Sequence, residues 1–164
     1  MYKKGVSLLE SLLVLGILAV ILGSIMVFLS YANNRAKVNQ TQMELMELVN
    51  IVHQYANSNE NIDNDFIIKS NTLPQKYIKN NNLVSAFGTN ISVNASGKNF
   101  NIQVDNISKS NCILFATQDY GNSIASISVN NNIHIQMDGI LSLNQAEQLC
   151  NTNTNSFALT SDKE

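Results

Sequence analysis

The residues of this 164-residue chain that are best spaced for chemistry lie at its start, Lys3-Lys4-Gly5-Val6-Ser7-Leu8-Leu9-Glu10. Two cations precede a glycine, and five residues after it a carboxylate opens an apolar run. Gly5 carries no Cβ and leaves the backbone there sterically unhindered. Glu10 is the only acidic or basic side chain between Val6 and Asn34. An acid in hydrocarbon costs up to about 2.5 to 3.5 kcal/mol at the bilayer centre and less toward the interface, so Glu10 requires either an edge position or a partner. Cys112 and Cys150 fit no zinc motif, which needs close pairs. They read either as two buried reduced thiols or, if the domain is exported, as a disulfide closing a loop of about 39 residues and worth roughly 4 kcal/mol in the chain-entropy model.

Other candidates are weaker. His53 and His134 have no carboxylate or thiol set beside them and read as surface or packed histidines. Asn61-x-Asp63-x-Asp65 is spaced like the start of a calcium loop, but Phe66 replaces the required glycine and Thr72 stands where the bidentate glutamate belongs. Asn39, Asn90, Asn94 and Asn106 begin glycosylation sequons, which chance supplies in a chain rich in Asn, Ser and Thr. No nucleophile motif, phosphate loop or carboxylate pair is visible. The chain therefore reads as non-catalytic, with no cofactor and no metal.

The elements that position these residues follow from composition. Ten Lys and Arg against twelve Asp and Glu give a net charge of -2, and charged residues make up 13%, well below the usual 25% or so. Without a basic stripe the chain has no electrostatic footprint for nucleic acid. Seven Gly, one Pro and no internal period exclude collagen-like and solenoid architectures. Ser11 to Leu29 is an uninterrupted apolar run of 19 residues, about the length that crosses hydrocarbon. A cleaved secretory signal is the rival reading, with Ser30-Tyr31-Ala32 as its site. It is disfavoured by the length of the run, by Glu10 and by the lack of a helix breaker after it. Val38, Leu45, Leu48, Val49, Val52, Tyr55 and Ala56 continue a helical period, which predicts one helix from about Val6 to Asn57. Its first half is apolar on all sides, and Gly16, Ala19, Gly23 and Ser30 give it a stripe of small residues. Its second half is amphipathic and must bury one face.

Downstream, Asn57 to Asp65 reads as a polar loop, followed by a turn near Leu73-Pro74. Ile91 and Val93, then Phe100, Ile102 and Val104, alternate with polar residues across a turn at Ala95 to Lys98. Ala125, Ile127 and Val129 are expected to pair with Ile133, Ile135 and Met137 across Asn130-Asn131-Asn132. Ser108 caps a short helix to about Thr117, Ser142 and Gln145 form a capping box for Leu143 to Cys150, and Ser156 to Thr160 is a last strand. The expected architecture is α+β, a long helix backed by a small antiparallel sheet.

The octet from Lys3 to Glu10, placed directly before the apolar run, resembles the cleavage motif of type IV pilins and pseudopilins. Ala86-Phe87-Gly88-Thr89-Asn90 looks like the Asn-Pro-Phe-type element leading into the sheet of type IVb pilins, without its proline. The placement of Cys112 and Cys150 is similar to the pair that closes the C-terminal region of those pilins. The resemblance implies the type IV pilin fold and a prepilin organised as leader 1–5, membrane and filament-core helix 6–30, amphipathic half 31–57 and exported domain 58–164. It further implies cleavage after Gly5 by a prepilin peptidase, N-methylation of Val6, a Cys112–Cys150 disulfide, and pairing of Glu10 with the new amino group of an adjacent subunit. The implied partners are other copies in a homo-oligomeric filament, the inner-membrane assembly platform, and the membrane before assembly. The subunit would move from the inner membrane to an extracellular pilus serving adhesion, aggregation or conjugation. Alternative readings are a minor pilin, a type II secretion pseudopilin, or a monomeric membrane-anchored periplasmic binding module.

Overall fold

The structure, a computed structural model, describes residues 8–55, 61–97, 99–135 and 140–161, with the backbone alone at Ile135. Gly5, Val6, Ala56, Asn57, Lys98 and Met137, each given a part above, lie outside the described residues. Two compact units divide between Ala36 and Lys37. Helix α1 runs over Leu8–Tyr55, 48 residues, as the absence of any proline before Pro74 allows. In the second unit it buries Val38, Thr41, Glu44, Leu45, Leu48, Val49, Ile51 and Val52, a stripe at spacings of three and four.

The chain continues through β1 (Asn61–Asp63), α2 (Asn64–Ser70), a 3-10 turn (Gln75–Tyr77), β2 (Ile78–Lys79), β3 (Asn82–Leu83), β4 (Ile91–Ser96) and β5 (Asn99–Ser108). It ends with α3 (Lys109–Ala116), β6 (Ser126–Val129), β7 (Asn132–Ile135), α4 (Leu143–Leu149) and β8 (Thr154–Thr160). Six strands form one sheet in the order β1-β4-β5-β8-β6-β7, and β2-β3 is a separate hairpin. Every pairing in the large sheet is antiparallel. The last strand therefore lies inside the sheet, bonded to β5 on one side and β6 on the other.

Alternation builds the inner face. Ile91, Val93 and Ala95 of β4, Phe100, Ile102 and Val104 of β5, Ile127 and Val129 of β6, and Phe157 and Leu159 of β8 are all buried, in one core with the α1 stripe. In β5 the register shifts between Val104 and Ile107. Asn106 takes the extra position at φ 56°, a left-handed conformation that Asn tolerates better than most residues. Both expected caps are present: Ser108 accepts the Asn111 N–H, and Ser142 and Gln145 form the capping box of α4.

Four expectations need correction. The segment read as a loop over Asn57 to Asp65 contains β1, paired to Asn94–Ser96, and Asp63, whose side chain caps α2 through the Phe66 N–H at 2.8 Å. A capping Asp and a loop Asp have the same composition signal, so the short helix behind it went unread. The β2-β3 hairpin, turning on Asn80 and Asn81 at φ 50° and 59°, was not anticipated either. The last strand starts at Thr154, two residues before the expected Ser156.

The fourth correction concerns register. The β6-β7 turn has two residues, Asn130 and Asn131, both at positive φ (51° and 65°), where three were expected. This aligns Ile127 with His134 and Ser128 with Ile133. Opposed residues share a face, so one residue of slip turns Ile133 outward, where it is 71% exposed.

The turn can be tested directly. Asn131→Val forces a β-branched residue into the left-handed region and should lower unfolding stability by about 1–2 kcal/mol, whereas Asn131→Gly should match or exceed wild type. Urea titration of the full chain in detergent measures both, and equal stability of the valine and glycine variants would contradict the assigned turn.

Candidate assembly segment and cross-linked C-terminal region

In the first unit, every described residue from Leu8 to Ala36 is exposed, including Leu8, Leu12, Ile17, Val20, Met26 and Phe28. Among the described residues α1 is the one helix long and apolar enough to cross a membrane. An apolar surface of this extent marks an interaction with lipid or with other protein. The Ser24 hydroxyl is satisfied locally, its Oγ donating to the Ile21 carbonyl at 2.8 Å. A Cβ built on Gly16 or Gly23 meets nothing within 4 Å. No packing among the described residues demands glycine at either position, and both leave a shallow helix surface on which a second helix can lie close. Glu10 sits in the first turn of the described helix, exposed and without a hydrogen-bond or ion-pair partner among the described residues.

A buried acid in the second unit escaped the sequence reading. Glu44 is 1% exposed, on the apolar stripe of α1. Its Oε1 accepts from Gln40 Nε2 at 3.0 Å, and its Oε2 accepts the Ala86 backbone N–H at 3.2 Å, a proton shared with Thr41 Oγ1. Leu48, Leu73, Tyr77, Leu83 and Ile91 line a small void beside it. Burial pushes its pKa above the ordinary glutamate value, against the opposing pull of Gln40, the Ala86 amide and the Lys76 charge. The signal was available: Thr41 and Glu44 fall three and six residues after Val38, on the face that the period assigns to the core.

The Ala86 to Asn90 element leads into the sheet as expected, β4 beginning at Ile91. It forms a tight loop in which Ser85 Oγ accepts from the Phe87 and Thr89 amides at 3.2 and 3.3 Å, and Gly88 takes φ 77°. Phe87 then lies edge-on to Phe115, with the Lys37 ammonium 6.0 Å above its ring.

Cys112 and Cys150 are bonded to each other, with Cα atoms 5.9 Å apart. The disulfide links α3 to the C-terminal end of α4 and is fully buried. Of the two alternatives open on sequence, the reduced pair is thereby set aside. Nearby, Asn155 is 2% exposed yet fully partnered. Its Oδ1 accepts from Asn130 Nδ2 and Thr152 Oγ1, both at 2.8 Å, and Asn130 Nδ2 also reaches the Leu149 carbonyl at 3.1 Å. These amides tie the β6-β7 turn to the start of β8 and to the residue before Cys150. Tyr120 lies tilted against Phe157, ring centroids 5.5 Å apart, and donates to the Phe115 carbonyl at 3.2 Å.

The remaining candidates are not brought together. His53 is exposed and edge-on to Phe100, centroids 5.5 Å apart, while His134 is half-buried on the edge strand β7. Asp63 serves as a cap, and Asp65 pairs with Lys69 at 3.6 Å on the surface. Among the described residues no group of three or more His, Cys, Asp or Glu is placed to hold a metal ion.

The described geometry thus offers two things: an apolar helix surface to be covered, and a head closed by a disulfide. A family model described as bundlin matches residues 30–161. The chain belongs to the bundlin family. Two similar relatives are the major structural subunits of the bundle-forming pilus of Escherichia coli serotypes O127:H6 and O111:H-. Each is 25% identical over 138 residues, covering 79% of this chain and 72% of the relative. Among solved structures, the type IV pilin TcpA of Vibrio cholerae El Tor matches with a TM-score of 0.50 and 14% identity over 79% of this chain and 99% of that one. That likeness gives the type IV pilin fold, and together with the family it agrees with the expected type IVb class.

Two tests follow from the head. Cys150→Ser should cost about 2–5 kcal/mol, the usual effect of losing a native disulfide from a small exported domain, read by denaturant unfolding with and without reductant; wild type insensitive to reductant would count against it. Glu44→Ala leaves the Ala86 N–H with Thr41 alone and should cost about 1–3 kcal/mol. Because folding raises the Glu44 pKa, its protonated form contributes stability that is fully present below the unfolded-chain glutamate pKa and is lost as pH rises through the higher folded value. Glu44→Gln, which does not titrate, should therefore gain on wild type as pH rises above the ordinary glutamate pKa; a constant difference would refute the shift.

Proposed function

We propose that this chain is a structural subunit of a type IV pilus, held in the inner membrane by residues 6–30 and then drawn into a filament whose core is made of such helices. The observation that carries this reading is the exposure of every described residue from Leu8 to Leu29 on a chain of the bundlin family. In this reading a prepilin peptidase removes residues 1–5 by cutting after Gly5, and Val6 becomes the methylated N-terminus. The assembly platform of the inner membrane then transfers the subunit to the extracellular pilus. Transfer is energetically feasible because the apolar surface exchanges lipid for the apolar helices of other copies and stays dry in both states.

Glu10 supplies register. Cleavage creates an α-amino group on Val6, and a carboxylate four residues along can meet that cation on an adjacent subunit. In a dry core an unpaired charge is strongly unfavourable while a pair is tolerated, so the contact fixes axial position more than it adds affinity.

Intact-mass spectrometry after co-expression with a prepilin peptidase should show a chain beginning at Val6, and Gly5→Val should block cutting more than Gly5→Ala. A product beginning at Asn33 would establish the secretory-signal alternative. Glu10→Gln should leave cleavage and head folding intact but impair filament incorporation, with Glu10→Asp intermediate. Wild-type assembly of Glu10→Gln in a strain lacking any other copy would remove the pairing role.

A further inference from the structure

Arg35 is the only arginine among the ten basic residues, and it stands on the far side of the apolar run from Lys3 and Lys4. A cation there works against the usual placement of positive charge on the cytoplasmic side, so its local chemistry matters. Arg35 Nε donates to Tyr31 Oη at 2.9 Å, and the guanidinium carbon lies 5.3 Å from the centre of the Tyr31 ring. The two are four residues apart on one helix face, and both are exposed. Nε is thus occupied, while the two terminal nitrogens have no partner among the described residues. Lys37 differs, since its ammonium is drawn to the Phe87 ring.

A guanidinium held by its Nε presents parallel N–H donors in the geometry that takes an oxyanion with two bonds. Depth identifies the oxyanion. The 19 residues from Ser11 to Leu29 span about 28 Å of helix, close to the roughly 30 Å of bilayer hydrocarbon. Tyr31 then falls in the interfacial layer, where rings with a polar tip concentrate. Helical side chains lean toward the N-terminus, and the bond to Tyr31 Oη draws the guanidinium of Arg35 back to that same level. The oxyanions that surround a helix at this depth are lipid phosphates.

We propose that Tyr31 and Arg35 form a binding site for the phosphate of a phospholipid headgroup in the outer leaflet of the inner membrane, Arg35 as the ligand-holding residue and Tyr31 as the residue that positions its fork. The inference rests on the membrane-anchored precursor described under Proposed function. Its consequence is a fixed height: the helix is held at one depth until a stronger set of contacts draws it out.

Because Arg35 is the sole arginine, labelling arginine with carbon-13 reports on it alone. The full chain in phosphatidylethanolamine and phosphatidylglycerol vesicles should show carbon–phosphorus dipolar dephasing at its guanidinium carbon, for a distance of about 4 Å. Tyr31→Leu should lose at least half of that dephasing by freeing the fork. Absence of dephasing in vesicles overturns the proposal, and unchanged dephasing in Tyr31→Leu overturns the positioning role. Equal dephasing in maltoside micelles with inorganic phosphate would assign the site to the free ion and overturn the lipid assignment. Magnetisation transfer from lipid acyl chains to the leucine methyl groups of the run is read in the same sample: its absence refutes the membrane-anchored reading itself, and its presence without phosphorus dephasing refutes the phosphate site alone.

Discussion

The constraint on which the molecule depends is that α1 carries two kinds of surface and the chain covers only one of them. From Val38 to Val52 the helix has a stripe matched by the inner face of the sheet, and burial of that stripe organises the head. From Leu8 to Leu29 the helix presents apolar side chains around its whole circumference, all exposed among the described residues. Such a surface is unfavourable in water in proportion to its area, so the folded state of this half is defined only together with lipid or with other copies. A subunit so built is incomplete by itself, and in the proposed function that incompleteness is what lets it exchange lipid for other copies.

The head meets its own demand in a way that depends on the last strand. β8 pairs with both β5 and β6, so the large sheet is not continuous until residues near the C-terminus are in place. Between β5 and β8 lie α3, the β6-β7 hairpin and α4, and the Cys112–Cys150 bond joins the two helices that bracket the hairpin. Closing this loop of 39 residues removes unfolded-state freedom worth about 4 kcal/mol in the chain-entropy model. The Asn130–Asn155 amide contacts act at the same place, fixing the hairpin turn to the start of β8 without a charged group. An Asn-rich sequence serves such a head well, because Asn both adopts positive φ at the turns and bonds to neighbouring backbone.

Strong periodic segments were legible in the sequence, while features set by single residues were not. The long helix, the β4-β5 hairpin and the capping box of α4 follow from patterns many residues long or from reciprocal pairs, and each lies where its pattern put it. The β6-β7 register was misjudged because Asn130-Asn131-Asn132 can turn on two residues or three, and sequence composition is identical for both. One residue of slip then reversed the face of Ile133. α2 was missed because its cap, Asp63, is indistinguishable in composition from the polar residues around it until the N–H of Phe66 is seen bonded to it. For the candidate site, Glu10 and the cysteines stand out by type, whereas Glu44 is a polar residue on a stripe that only its apolar members define.

The two glutamates of α1 show how the same group is made tolerable by different means. Glu44 is buried within its own head, where Gln40, Thr41 and the Ala86 amide surround it, and desolvation there shifts it toward the neutral acid. Glu10 has no such set and stands at the head of a segment left uncovered among the described residues. If that segment is to be enclosed, its carboxylate must either lose its charge or meet a cation brought by what encloses it. A group satisfied internally contributes to stability, and a group satisfied only by a neighbour contributes to registration between neighbours. On one helix, then, stand a buried acid that closes a loop of its own head and an exposed acid that, in the proposed filament, would find its partner on a neighbouring copy.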